Sequence, residues 1–203
     1  MLEQQHNWIS QPLPLPPDTL RLPLLTLEDL DTMPDDGNKY ELLGGEIFMS
    51  RAPHISHQLA LANTLGNIFA YLQKHPIGKI IPEPGVIFSD YDAVIPDLVF
   101  ISEERYKKIV SDEGKIIAAP DLVIEVMSLG PKDVRRDRVT KLQLYSRYGV
   151  KEYWIIDYFS LYVEIYRPTE KGLELAEKLD LRDELRSPLL PDFSLPVSAI
   201  FQQ

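Results

Sequence analysis

Two similar segments, residues 119–128 (APDLVIEVMS) and 95–102 (IPDLVFIS), carry acidic residues within otherwise apolar sequence. Each has a Pro-Asp pair followed by branched and aromatic residues, which predicts a buried strand. If the two strands pair antiparallel, the start of residues 95–102 lies beside the end of residues 119–128, and Asp97 comes close to Glu125. Two carboxylates that meet at a sheet edge are suited to bind a hard cation such as Mg²⁺.

Each acid also has a simpler explanation. Asp97 could cap a turn, since Pro-Asp is common in turns. Glu125 has apolar neighbours that predict burial, and an ionised carboxylate is costly to bury unless a cation meets it. That cation could be a buried Arg or Lys. Asp121 lies four residues from Glu125, roughly 13 Å along a strand, which is too far to share one ion. We therefore assign Asp121 to the turn.

Lys141 is a third candidate. A helix predicted from Asp133 to about Tyr148 has an apolar stripe, and Lys141 lies at the edge of that stripe. A lysine there could lie over the carboxylates and stabilise negative charge on a phosphate. Alternatively, Asp133, Asp137 and Lys141 are spaced by four and could form a solvated face. The spacing favours neither interpretation.

Further charged residues could reach the same place. Glu41 and Glu46 belong to a hairpin predicted around Gly44-Gly45, and His57 lies in the first turn of a helix predicted at Ile55–Lys74. Either acid could instead be solvated, and the histidine could be a capping or structural residue. A local basic patch that could hold a phosphate backbone, or balance nearby acids, is formed by Arg135, Arg136 and Arg138.

Composition limits the classes of protein. The chain has 203 residues, a net charge of −10 and no cysteine. The composition predicts a proline-rich arm, residues 1–25, followed by a single domain, residues 26–203. Disulfides and thiolate metal sites are excluded. No apolar run is long enough to span a membrane, so we expect a cytoplasmic protein with no membrane partner. The acidic charge argues against a protein that coats DNA regardless of sequence.

The predicted elements alternate without a regular parallel crossover rhythm. This pattern predicts the α/β class, with a central mixed sheet flanked by helices. A strand is predicted at Gly172–Leu179, and residues 189–203 predict a turn and a short helix. An aromatic hairpin spans residues 150–157 and 161–167. Its aromatic residues could form a homodimer interface, but a buried sheet explains them equally well.

Several short motifs follow one another in a characteristic order. They are Tyr40-Glu41-Leu42, Gly45-Glu46, His57-Gln58, Pro96-Asp97-Leu98-Val99, the segment 120–126, Lys141 with Tyr145, Gly149-Val150 and Glu152-Tyr153-Trp154. Together they resemble the Uma-type restriction endonuclease family, a mostly uncharacterised branch of the PD-(D/E)XK nuclease superfamily. The resemblance implies a restriction endonuclease-like core and a divalent-metal phosphodiesterase acting on DNA.

The resemblance also implies roles for residues. Asp97 and Glu125 would hold Mg²⁺, with Mn²⁺ as an alternative ion. An upstream acid would complete the metal site, with Glu41 as the first choice and Glu46 as the alternative left open. The superfamily lysine should follow the glutamate by two residues, where this chain has Met127. The family supplies the lysine from the next helix instead, which implies Lys141. His57 would orient the reacting groups.

Three functions stay open. The first is a magnesium-dependent endonuclease acting on DNA. Restriction enzymes are often dimers, so this function would be compatible with a homodimer. The second is a catalytically degenerate protein that keeps the fold and binds nucleic acid or a protein partner, as Met127 and the acidic charge would favour. The third is a metal-dependent hydrolase of a small phosphorylated substrate, which has no support beyond the same acids.

Overall fold

The computed structural model describes residues 23–50, 52–128 and 135–202. The arm predicted at residues 1–25 lies almost entirely outside this range. The helices are α1 (Leu27–Asp31), α2 (Ile55–Lys74), α3 (Glu103–Ile109), a π-helical turn (Arg136–Lys141) that continues into α4 (Leu142–Tyr148), and α5 (Val197–Ile200). The strands are β1 (Lys39–Leu43), β2 (Glu46–Ser50), β3 (Gly78–Pro82), β4 (Val86–Ser89), β5 (Asp92–Val94), β6 (Leu98–Ser102), β7 (Leu122–Val126), β8 (Glu152–Asp157), β9 (Tyr162–Thr169), β10 (Gly172–Leu179), β11 (Glu184–Ser187) and β12 (Leu190–Pro196).

A six-stranded mixed sheet forms the centre, in the order β10-β9-β8-β7-β6-β3. Strands β7 and β8 run parallel, and the other neighbouring pairs are antiparallel. Helices pack on both faces, so the predicted α/β architecture is confirmed. The antiparallel register of β6 and β7 pairs Leu98 with Ile124. The residue before Leu98 and the residue after Ile124 therefore meet at one edge of the sheet.

Alternation along the strands separates two apolar cores. Ile124 and Trp154 point to the face covered by α2, α5 and the β11–β12 hairpin. Val123 and Tyr153 point to the other face, against α4. A smaller antiparallel sheet, β2-β1-β5-β4, also packs on this second face, since Leu43 and Val86 contribute to its core. The small sheet brings β1 over the end of β7.

The aromatic hairpin predicted near residues 150–167 corresponds to β8 and β9. Tyr153 and Trp154 are fully buried within the central sheet. A buried sheet therefore accounts for these two aromatic residues without a second protomer, and the homodimer stays a prediction. Within the described residues, none of the helices combines the length and apolar character needed to cross a membrane.

The C-terminal prediction is partly wrong. The short helix is present as α5, but residues 190–196 form a strand rather than a turn. Two prolines obscure this strand in the sequence. In the described part of the chain this strand pairs with β11 alone, so proline is tolerated at its outer positions. Its buried residues, Leu190, Phe193 and Leu195, fill the core beside α2.

Candidate active site

Asp97 and Glu125 line the same cavity at the edge of the central sheet. Asp97 directly precedes β6 and Glu125 is the fourth residue of β7, so the antiparallel register brings them together. The cavity has a volume of about 50 Å³. This is room for one or two waters, an ion or part of a phosphate group. The predicted convergence of the two acids is therefore present in the structure.

Asp97 is held as a carboxylate. Its Oδ2 accepts a hydrogen bond of 2.8 Å from the backbone N–H of Val126. The same oxygen lies 3.3 Å from Nε2 of His57. Burial acts to raise the pKa of Asp97, but the interactions with His57 and Val126 hold that pKa below its usual value. Asp97 therefore carries negative charge into the cavity.

The protein stabilises the charged form of Glu125 less well than that of Asp97. Its Oε1 accepts hydrogen bonds from Lys141 Nζ at 2.8 Å and from the hydroxyl of Tyr145 at 2.7 Å. Burial raises the pKa of Glu125 to about 8, and the nearby carboxylates Asp97 and Asp137 add to this, although Lys141 acts in the opposite direction. The contacts available inside the protein thus do not fully stabilise the charge of Glu125.

Lys141 bridges two carboxylates. Its ammonium group lies 2.9 Å from Glu41 Oε1 as well as 2.8 Å from Glu125 Oε1. Burial acts to lower the pKa of Lys141, but Glu125 and Glu41 raise that pKa above its usual value, so the ammonium stays charged. The side chain is 3% exposed. The solvated-face interpretation of Lys141 is therefore wrong, because the lysine points into the cavity.

The hairpin acids have different environments. Glu41 is buried on β1, where its Oε1 also accepts a 2.8 Å hydrogen bond from the backbone N–H of Ile95. Glu46 is exposed on β2 and does not line the cavity. The register explains the difference: Glu46 pairs with Leu43 beside the Gly44-Gly45 turn, whereas the cavity lies at the other end of the hairpin, near Glu41. Of the two candidates, only Glu41 can reach the cavity.

His57 also lines the cavity and is buried. It does not cap α2, because His54 is the N-cap and accepts the hydrogen bond from the backbone N–H of Ser56. The ring packs edge-on against Tyr158 at a centroid distance of 6.3 Å. Its Nδ1 is buried without a hydrogen-bond partner among the described residues. Its charged contact is with Asp97.

Asp137 is a further residue of the site that the sequence did not single out as a candidate. It was a candidate for a solvated face, but it is 3% exposed and lines the cavity. Burial raises its pKa above the usual value, reinforced by Glu41 and Asp97 and opposed by Lys141 and Arg136. The overlooked signal is the four-residue spacing of Asp137, Lys141 and Tyr145, which places all three on the stripe that faces the core.

The basic patch predicted at residues 135–138 is not one surface. Arg135 is exposed, Arg136 is buried and lines the cavity, and Arg138 turns away toward β9. There the guanidinium of Arg138 contacts Glu164 at 3.3 Å. The predicted N-cap, Asp133, lies outside the described residues. The described part of this helix begins with a π-helical turn rather than a regular α-helix.

The donor set fits a hard divalent cation, although it is not preassembled. Four carboxylates line the cavity: Glu41, Asp97, Glu125 and Asp137. Across residues 23–50, 52–128 and 135–202, no three His, Asp or Glu side chains are arranged as a ready ligand set. Lys141 accounts for this, because its ammonium bridges two of the acids. Carboxylate oxygens are the ligands that Mg²⁺ prefers. Burial raises the pKa of Glu125 to about 8, so a cation bound beside this residue would stabilise its charged form.

Comparison with known proteins supports the fold. A crystal structure of "a putative nuclease belonging to DUF820" from Anabaena variabilis superposes with a TM-score of 0.72 and 21% identity, covering 87% of this chain and 97% of that one. The type IIG restriction endonuclease BpuSI gives a TM-score of 0.42 and 12% identity over 75% of this chain and 16% of that one, which does not establish a common fold. No curated protein matches the sequence significantly.

The family assignment rests on most of the chain. The family described as "Uma2: Putative restriction endonuclease" matches residues 27–198, a range that includes every residue of the cavity discussed above. The chain has a restriction endonuclease-like fold and belongs to the Uma2 family.

Proposed function

We propose that this protein is a divalent-metal-dependent endonuclease that hydrolyses phosphodiester bonds in DNA. The observation that carries the proposal is the meeting of Asp97 and Glu125 in one cavity, with Lys141 Nζ 2.8 Å from Glu125. Carboxylates from neighbouring strands and a lysine at the same point are the charged groups that metal-assisted phosphodiester hydrolysis requires. The family description points the same way.

Asp97 and Glu125, with Glu41, would hold the metal. Magnesium is the first choice and manganese the alternative. A bound ion supplies Lewis acidity, which polarises a phosphate and lowers the pKa of a bound water. Among the described residues, the hydrogen bonds to Glu125 all fall on Oε1 and those to Asp97 on Oδ2. The second oxygen of each carboxylate is thus the natural donor to a cation.

Lys141 has the chemistry to act on the substrate. A buried ammonium with a raised pKa stays protonated, so it stabilises negative charge that builds up on the scissile phosphate and positions the attacking water. His57 holds Asp97 in place through its Nε2. The cavity of about 50 Å³ takes an ion or part of a phosphate group but not a whole nucleotide, so the rest of the DNA must lie outside it.

A second candidate function is a degenerate nuclease fold that binds DNA without cutting it. The observation that favours this candidate is Met127, a buried apolar residue at the position where the superfamily pattern has its lysine. In this chain the lysine that contacts Glu125, at 2.8 Å, is Lys141, which comes from a different element. The two candidates share a fold and differ in whether Lys141 replaces the missing charge.

A plasmid-cleavage experiment separates them. We expect supercoiled plasmid to be nicked or linearised with Mg²⁺ or Mn²⁺, and Asp97→Asn and Glu125→Gln to lower the rate by more than about 100-fold. Glu46→Gln is the matched control, because Glu46 is an exposed acid of the same hairpin as Glu41. Cleavage that persists in both site variants would indicate a contaminant or another site. DNA binding without cleavage in either metal would favour the degenerate nuclease.

A further inference from the structure

The π-helical turn Arg136–Lys141 brings two cations to one point. Residues five apart are separated by roughly 140° around a regular α-helix, so only one of them could face the site. In a π-helix the hydrogen bonds connect residues five apart, which places them on the same side. Arg136 and Lys141 accordingly line the same cavity. Isolated π-helical turns within α-helices are frequent at functional sites.

Tertiary contacts hold this unusual turn in place. The hydroxyl of Tyr153, on β8, donates a 3.1 Å hydrogen bond to the backbone carbonyl of Asp137. The same tyrosine is fully buried and packs against Tyr145 at a centroid distance of 4.9 Å. The turn is therefore supported from the central sheet, and the direction of the Arg136 side chain is set by the core rather than by solvent.

The guanidinium of Arg136 is anchored on two sides. Its Nη1 donates a 3.1 Å hydrogen bond to Oγ of Ser50, at the end of β2. Its Nε lies 3.4 Å from Oδ1 of Asp137. These contacts orient the guanidinium at the cavity wall.

We propose that Arg136 binds the phosphate that undergoes cleavage, as a second cationic contact beside Lys141. Asp137 and Ser50 act as positioning residues for its guanidinium. An arginine suits this role because its planar fork of N–H donors matches phosphate oxygens, whereas the lysine ammonium acts as a point charge. This inference rests on the proposed nuclease function, and it adds a substrate-binding residue that faces the metal-binding acids across a small cavity.

The test measures DNA binding separately from cleavage. A fluorescein-labelled duplex of about 30 base pairs is titrated in EDTA at several salt concentrations, for the wild type and Arg136→Gln. The logarithm of the binding constant falls as the logarithm of the salt concentration rises, and the loss of one phosphate contact makes this slope shallower by about 0.9. Cleavage of the same duplex in Mg²⁺ falls by about 100-fold. Lys107→Gln is the control, because this exposed lysine follows the far end of β6, at the opposite edge of the sheet.

Each outcome separates the inference from the nuclease proposal. If Arg136→Gln has the same salt slope and the same cleavage rate as Lys107→Gln, the proposed role of Arg136 is overturned. Wild-type protein that binds the duplex but does not cleave it overturns the nuclease proposal, while the salt slope still decides on Arg136. Wild-type protein that does not bind DNA overturns both. If Arg136→Gln does not fold, Arg136→Lys replaces it, with an unchanged salt slope and about tenfold slower cleavage expected. Cleavage by Arg136→Lys at the wild-type rate would then refute the inference.

Discussion

Replacing Lys141 by methionine is expected to destabilise the metal-free protein severely. Methionine keeps most of the side-chain length and removes the ammonium that lies 2.8 Å from Glu125 and 2.9 Å from Glu41. Both carboxylates are at most 5% exposed, so only the few waters that fit in the small cavity can replace the lost partner. Removal of one member of a buried ion pair lowers the free energy of unfolding by about 3–5 kcal/mol.

The assay is thermal and urea denaturation in EDTA. For a chain of this size, each kcal/mol corresponds to roughly 2–4 °C in Tm, so Lys141→Met should melt roughly 6–20 °C below the wild type. The double variant Glu125→Gln with Lys141→Met should recover part of this loss, because glutamine cannot ionise and so replaces a buried carboxyl group that has lost its cation. Lys151→Met is the matched control. Its ammonium contacts Asp121 at 2.6 Å, but the lysine side chain is 52% exposed. Asp121 keeps its 2.8 Å pairing with Arg105, so Lys151→Met leaves no carboxylate without a cation and should lower Tm less.

Two results would refute this reasoning. Equal Tm values for Lys141→Met and Lys151→Met would mean that Lys141 does not stabilise the buried carboxylates. A double variant less stable than Lys141→Met alone would mean that Glu125 is not a destabilising charge once the lysine is gone.

Three further changes test other parts of the account. Burial acts to raise the pKa of Asp121, but hydrogen bonds from Lys151, Ser102 and Arg105 lower that pKa to about 2. The ionised Asp121 therefore stabilises the folded protein by at most about 2 kcal/mol. This contribution is present above pH 4 and is lost as the pH falls toward 2. Urea denaturation at pH 2 to 6 should show this loss, and an unchanged profile in Asp121→Asn would contradict it. Gly149→Ala should lower the free energy of unfolding by about 1–2 kcal/mol, because Gly149 ends α4 at φ +80°, and an unchanged urea midpoint would argue against this strain. Tyr145→Phe removes the 2.7 Å hydrogen bond to Glu125 and should lower the free energy of unfolding by about 1.5–3 kcal/mol in the same assay; no change would mean that this bond contributes nothing.

The convergence of Asp97 and Glu125 was predictable because it depends on local rules. Strand alternation fixes the face of each side chain, and an antiparallel pair aligns the start of one strand with the end of the other. The same rules separate the two Pro-Asp motifs. Asp121 directly precedes β7, at the opposite edge of the sheet from Asp97. It accepts a 2.9 Å hydrogen bond from the backbone N–H of Ser102, the turn role expected for it.

Other parts of the site depend on contacts between distant elements. The spacing around Lys141 fits both a buried and a solvated helix face, and only the packing of β1, with Glu41, over the end of β7 decides between them. The π-helical turn is likewise hidden in the sequence, since its support from Tyr153 comes from a strand reached only after α4. The burial of Asp137 and Arg136 follows from that turn.

Anomalous diffraction from crystals soaked in Mn²⁺ tests the central claim most directly. The account predicts one strong anomalous peak in the cavity, in contact with both Asp97 and Glu125, and its loss in crystals of Glu125→Gln. A cavity without a peak, or a peak that contacts neither carboxylate, would contradict the assignment of this cavity as a metal-dependent nuclease site.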